Sequence, residues 1–507
     1  MPWMRPMQII MDKIKIIFLA AAMALDTVAM TAESNVMRLD LRTAIQIAAD
    51  SSLTAFRARN LYRAGYWQYR MFRAQRLPSL SLDVTPARYY REITSRYDYD
   101  NNIDVYRPQQ SYSASAGLKV SQNFDLLGGT FFAETDIDYM RNIGDNSFSQ
   151  FQSVPFRIGY SQQLLGYNSF RWDKKIEPLK YEAAKKDFLY NLESLSETVV
   201  DYYFALVMAR TEYRLAQEAL ASADTLYTLG ERRFRIAAIS QADLLTLKLD
   251  LVNARNSLEN SRIALKSANA SLASFIGLDQ TVEIETETPP MPGFCSVTEA
   301  DAIAMARQNS PNVLNRRTEV LEAKREVNKT RVENIFSASV NASIGYNQVG
   351  NSLPAAYRHL LRQDLVSVSL TIPLVDWGVR KGKYNMAVSN LDVALTAERQ
   401  EMQKLEEEVA QTVDNFNIQL QLVRSAAEAM DLADTAFAQT QMRFMIGKAD
   451  MNSLTLASQR RQDANKNYIT SLKNYWSGYF KLRRLTLYDF ERGIPLARAF
   501  DVENNVR

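Results

Sequence analysis

The chain has 507 residues, 47% of them hydrophobic, and its 60 Lys+Arg against 57 Asp+Glu leave a net charge of +3. That length exceeds the ~250–300 residues one globular core can hold, and 17 Gly with 14 Pro exclude collagen-like and turn-dense chains and favour long helices. One histidine, His359, and one cysteine, Cys295, exclude His-rich zinc sites, HExxH, paired-cysteine motifs and an intrachain disulfide, and the balanced charge gives no case for a nucleic-acid binder.

Lys13 and Lys15 precede the apolar run Ile16–Leu25, and small residues follow at Ala29 and Ala32. A charged start, a short apolar core and a small-residue exit predict a secretion signal over 1–32. No other stretch reaches the ~18 uncharged apolar residues of a membrane-spanning helix.

The rest reads as a duplication. Ala44–Ala48 resembles Ala302–Ala306 at an offset of 258, and Arg233–Ala237 resembles Arg443–Gly447 at an offset of 210. The offset falls by 48, so the first copy carries 48 extra residues between its first helix and residue 164. The first repeat, 38–278, reads as a helix, strands over about 79–165, a long helix over 170–236 and a helix over 240–278. Pro289, Pro290, Pro292 and Gly293 mark a linker over 279–296. The second repeat, 297–490, reads as a helix, strands over about 336–374 and helices over 380–446 and 450–488, before a tail at 491–507.

The strand segments alternate strictly. Ala338, Val340, Ala342, Ile344 and Tyr346 oppose Ser339, Asn341, Ser343 and Gly345, and Ala114, Ala116, Leu118 and Val120 repeat the pattern in the first half. Such a half-buried strand suits either a soluble sandwich or a membrane barrel. The helices separate the two. Residues 170–236 hold Leu189, Leu192, Leu195, Val199, Tyr202, Leu206 and Tyr213 at spacings of three, four and seven, over a length of roughly 100 Å. So long and thin a core cannot bury its apolar stripes in one chain, and self-association is expected.

The sequence resembles the TolC-like outer membrane efflux protein family over about residues 38–490. The resemblance rests on the duplication and three motifs: Ile372-Pro373-Leu374-Val375-Asp376-Trp377-Gly378-Val379-Arg380, and the matching helix tips Arg233–Leu244 and Arg443–Asp450. It implies an α+β fold in which tandem long helical hairpins form a coiled-coil tunnel, with transmembrane β-barrel strands shared across a homotrimer. Where the family plan has two strands in the first repeat, the extra 48 residues, with a turn signal at Phe124–Thr130, make room for four. The added pair would widen the barrel, extend it above the membrane or fold over its mouth.

The resemblance also implies that acidic residues near the hairpin tips line a periplasmic entrance. Asp243 falls on such a position; Ser453 and Leu456 depart from it in the second repeat, with Lys448 and Asp450 nearby. Asp243 equally suits a helix N-terminal charge, and Asp450 an N-cap. Arg233 and Arg443 suit either interhelical contacts that hold the entrance shut or surface charge near a helix C-terminus. Ala237, Ser240 and Gly447 mark the tips that would meet an adaptor. The tyrosines from Tyr89 to Tyr112 suit an interfacial girdle with an outer loop, or a plain surface loop. His359 falls in a loop between the second-half strands, with no nucleophile motif beside it.

No catalytic constellation, cofactor motif, metal set or GxxxxGK[ST] loop is present, so no enzyme is expected and energy must come from a partner. The reading is a passive outer membrane duct for small molecules, served by a periplasmic adaptor and an inner-membrane transporter. A duct for type I protein secretion, or a periplasmic coiled-coil scaffold or adaptor that forms no channel, are the alternatives.

Overall fold

A computed structural model describes residues 36–499 other than 145, 146, 165, 292, 294 and 295. The expected secretion signal lies outside the described residues. In chain order the elements are β1 (Val36–Leu39), α1 (Leu41–Ser51), α2 (Leu53–Ala74), β2 (Ser79–Asp98), β3 (Ile103–Phe124), β4 (Gly129–Ile143), β5 (Phe148–Leu164), α3 (Ser169–Arg235), α4 (Gln241–Ile276), β6 (Glu283–Thr286), α5 (Glu299–Asn309), α6 (Pro311–Glu333), β7 (Ser337–Gly350), β8 (Leu361–Thr371), α7 (Val379–Met445), α8 (Met451–Thr486), β9 (Tyr488–Asp489) and β10 (Ile494–Pro495). The chain forms two compact units.

One unit holds residues 56–194, 295–417 and 478 onward. Its centre is an antiparallel sheet in the order β2-β3-β4-β5-β7-β8, with four strands from the first repeat and two from the second. The repeats meet where β5 pairs with β7, Ile158 opposite Ile344. Prolines cannot donate to a ladder, and Pro86 and Pro155 fall where the register shifts, between Thr85 and Arg88 and between Ser153 and Phe156. Period-two alternation divides the faces. Ser81, Lys119, Glu134, Arg157, Gly345 and Gln363 are successive cross-strand partners on the polar face, where Arg157 donates to Glu134 at 2.6 Å. The next row, on the other face, runs Leu80, Val120, Ala133, Ile158 and Ile344.

Two aromatic clusters bracket that apolar face. Phe131 contacts Tyr160 at 4.4 Å and, edge-on, Phe124 at 5.9 Å; eight residues further along β4, Tyr139 contacts Phe151 at 4.9 Å and Tyr112 at 6.4 Å. Most of the tyrosine-rich stretch is strand and not the outer or surface loop expected: β2 and β3 pair on past the end of β4, up to Asp98 opposite Ile103. The ladder is satisfied by two strands alone there, so the chain extends as a ribbon and does not coil.

In the same unit α2 packs on α3 through Ala58, Tyr62 and Phe188, with Tyr69 stacked on Tyr181 at 4.8 Å. Gly65 permits this, since a Cβ there would meet the Ala184 methyl at 2.8 Å. The expected C-terminal tail is partly folded. Leu487 takes φ 47° and stops α8, and β10 then returns to pair with β9. Asp489, nearly fully buried, accepts the Glu491 and Arg492 amides, and Arg483 donates to Glu193 at 2.8 Å. Burial pushes the Glu193 carboxyl up, against the pull of the Arg483 guanidinium.

The other unit holds described residues up to 55, with 195–294 and 418–477. Here the expected linker contains β6, which pairs in parallel with β1. The Asn269 side chain donates to the Val282 carbonyl and accepts the Ile284 amide, both at 2.8 Å. The buried Tyr203 hydroxyl donates to the Glu287 carbonyl at 2.6 Å, with the Leu39 carbonyl at 3.0 Å.

Candidate functional site: the two helical tips

Each tip is a Schellman turn followed by a capped helix. In the first, the Ala238 amide donates to the Arg233 carbonyl at 2.8 Å and the Ala237 amide to Phe234 at 2.9 Å. In the second, the Lys448 amide donates to Arg443 at 2.8 Å and the Gly447 amide to Phe444 at 3.0 Å. The same two bonds thus satisfy the orphaned carbonyls of α3 and α7. The motif needs a left-handed residue, supplied by Gly447 at φ 75° but by Ala237 at φ 57°.

The caps exchange residues. Ser240 caps α4: its hydroxyl accepts the Asp243 amide at 3.1 Å, while the Asp243 carboxylate accepts the Ser240 amide at 3.0 Å, a complete capping box. At α8 the order is reversed, and the Asp450 carboxylate accepts the Ser453 amide at 2.9 Å. Each tip therefore keeps one Ser and one Asp, three residues apart. The departure at Ser453 is a transposition, and the carboxylate sits one turn earlier. The Ser240 hydroxyl and amide hold the Asp243 carboxyl below the usual carboxylate range, and the Ser453 hydroxyl and amide do the same for Asp450. Leu456 is about half exposed.

The two arginines are not equivalent. Arg233 donates to the Met445 carbonyl at 3.3 Å, tying the end of α3 to the end of α7, whereas Arg443 donates to the Lys448 carbonyl of its own turn at 3.5 Å. Arg443, Lys448, Asp450 and Ser453 line a groove of about 930 Å³ along the second tip, floored by Ala436, Ala449 and Ala457.

Behind the tips Leu226, Leu247 and Leu454 form a buried cluster with Phe437 and Phe444 against it. Gly230 lets α3 and α4 approach, since a Cβ would lie 2.4 Å from Leu247. An antiparallel ladder of charges, not singled out in the sequence, joins α8 to α3: Arg461 to Glu218 at 2.8 Å, Lys466 to Glu212 at 2.9 Å and Lys473 to Asp201 at 3.0 Å. Arg461 also reaches Asp434 at 2.7 Å and lies over the Phe437 ring. Its signal was a cation recurring every five to seven residues on α8, unremarkable without the facing helix. His359 takes φ 56° in the loop between β7 and β8. Among the described residues no group of acidic, His or Cys side chains is placed to hold a metal, and no helix is long and apolar enough to cross a membrane.

Duplicated helical hairpins joined to an antiparallel sheet with one apolar face define the class, an α+β fold. Residues 302–486 match the family model described as outer membrane efflux protein, the family that the sequence resembles. Its fold is similar to that of the Campylobacter jejuni CmeC outer membrane channel (TM-score 0.65, 14% identity, 92% of this chain and 88% of that one). It is also similar to the outer membrane protein VceC of Vibrio cholerae (0.62, 14%, 88% and 95%) and to the open state of the Neisseria gonorrhoeae MtrE outer membrane channel (0.59, 15%, 88% of each). No curated protein matches the sequence.

Proposed function

We propose that three copies form an outer membrane channel-tunnel that passively exports small molecules. An inner-membrane transporter would supply the energy and a periplasmic adaptor would join it to the helical tips. The observation that carries this is the sheet's apolar face. Leu80, Leu82, Val84, Val366, Val368 and Leu370 are all more than half exposed, on edge strands that would aggregate in water and are at home in lipid. The groove along the second tip, lined in part by Ala436, Ala449 and Ala457, suits docking of an adaptor's helices, and the polar sheet face suits a wet lumen, where width and charge set selectivity.

The test is to express the full chain in a bacterium with two membranes and fractionate it. The expected result is a heat-modifiable trimer that needs detergent for extraction, conducts in planar bilayers and, when deleted, lowers tolerance of toxic small molecules. Recovery from the periplasm without detergent would instead support the scaffold. Loss of one secreted protein with unchanged tolerance would support protein secretion.

A further inference from the structure

The extra 48 residues of the first repeat form a hairpin inside the sheet. We propose that it widens the barrel wall, so that a trimer closes eighteen strands, β8 of each copy pairing with β2 of the next; this rests on the trimeric channel above.

The added strands run the whole depth of the wall. β3 pairs with β4 in register from Phe124 opposite Gly129 to Gln110 opposite Ile143, and β4 pairs with β5 from Thr130 opposite Ser161 to Asn142 opposite Phe148. The β3–β4 turn is anchored at the helix end of the sheet. Asp125 pairs with Arg76, which follows α2; the Gln122 side chain donates to the Arg76 carbonyl at 2.8 Å; and Asn168, just before α3, donates to the Asp125 carbonyl at 3.0 Å. A flap over the barrel mouth would have its turn at the other end and no such register.

Both faces continue through the addition. Lys119 and Glu134 extend the polar row, while Val120 and Ala133 extend the apolar row, and the two aromatic clusters include Tyr112, Phe124, Phe131 and Tyr139 of the added strands. Phe131 and Tyr139 are eight residues apart, roughly 26 Å of strand, or about 20 Å of depth at the usual tilt, which suits the ~25 Å apolar band of a barrel. The shortest strand, β8, has 11 residues, enough to span at the ~9–11 a tilted strand needs.

Six strands fall short of the roughly eight of the smallest closed barrels, and an open edge is not tolerated in lipid. The free edges must therefore meet other copies. β2 leaves the helix end and β8 returns to it, so head-to-tail pairing of copies keeps every neighbour antiparallel. Six strands from each of three copies make eighteen. Barrel diameter grows roughly linearly with strand number, so this exit is about half as wide again as one built from four strands per chain, and lies in the range that leaves an aqueous channel.

The experiment is to count strands by electron cryo-microscopy of the full-length trimer, with disulfide trapping beside it. In a Cys295→Ser background, Leu82→Cys is paired in turn with Val366→Cys, Val368→Cys and Leu370→Cys. Eighteen strands, and a covalent trimer on non-reducing gels from at least one pair, are the expected results. Ala133→Cys and Ile137→Cys carry the opposite expectation with the same β8 cysteines. A conducting trimer with twelve wall strands, trapped through β4 to β8, overturns the widened wall and leaves the channel standing. Detergent-free recovery overturns both.

Discussion

Arg233, in the last turn of α3, donates to the carbonyl of Met445 in the last turn of α7, so a cross-repeat hydrogen bond ties the two tips of one chain. The equivalent Arg443 turns inward to its own Lys448 carbonyl. In a ring of repeats the Met445-like acceptor for Arg443 would be the Arg235 carbonyl of the next copy, at the matching offset of 210. Each exposed bond contributes about 1 kcal/mol, about a fivefold change in population. Arg233→Ala is therefore expected to raise the open fraction, read as single-channel conductance or open time in planar bilayers. Unchanged conductance would remove the latch role from this residue.

Ala237 sits in the left-handed region that Gly447 occupies at the other tip. A Cβ there costs ~1–2 kcal/mol. Ala237→Gly is expected to slow amide hydrogen exchange at the end of α3, and Gly447→Ala to speed it at the end of α7, each by about five- to thirtyfold. The opposite pattern would mean that the tips are held by something other than the Schellman turn.

The caps carry a pH signature. The folded Asp243 and Asp450 carboxyls are held below 3.8, so the unfolded tips bind more protons. Their contribution is complete above that unfolded value and is lost as pH falls through the lower folded one. Protection of the Asp243 and Ser453 amides should persist from pH 7 to about 4 and fade only below. Asp450→Ala should abolish the fading at α8 and leave α4 as it is. Fading already at pH 5 to 6 would contradict the capping geometry.

Arg483 and Glu193 form a largely buried pair at 2.8 Å, with Asp489 at 3.6 Å from the same guanidinium. Removing one partner strands a charge, at a cost of roughly 3–5 kcal/mol. Arg483→Met should lower the thermal midpoint strongly at pH 7. Because burial raises the Glu193 carboxyl, its protonation relieves the stranded charge, so the defect should shrink as pH falls towards 5. A pH-independent defect would assign the loss to packing alone.

The Tyr203 hydroxyl serves the β1–β6 sheet through the Glu287 carbonyl. Tyr203→Phe removes that hydrogen bond from an exposed residue whose carbonyl water can reach, and about 0.5–1.5 kcal/mol of stability should go with it. Faster exchange confined to residues 36–39 and 283–286 would localise the effect; global loosening would not fit.

Much of the tips could be read from residues alone. The turn at Gly447, the cap at Asp450 and the basic last turns are local, set within five residues by backbone geometry and the helix dipole. The Asp243–Ser453 transposition was visible only as a missing acid, because a capping box is recognised by which atom accepts from which amide. The β1–β6 pairing was hidden for another reason. Four-residue strands have too little alternation to register, and their partners are 247 residues apart.

By itself the sequence determined the elements: seams of apolar side chains three, four and seven apart make helices, alternation makes strands, and the offsets of 258 and 210 make two copies. Tertiary structure alone decided what each element meets. Hydrogen-bonded register is a nonlocal property, set when whole strands align, so that β5 joins β7 across the repeats and the added hairpin enters the wall. The same holds for Arg233, whose acceptor is a backbone carbonyl 212 residues away that any sequence could supply and only the packed tips bring within reach.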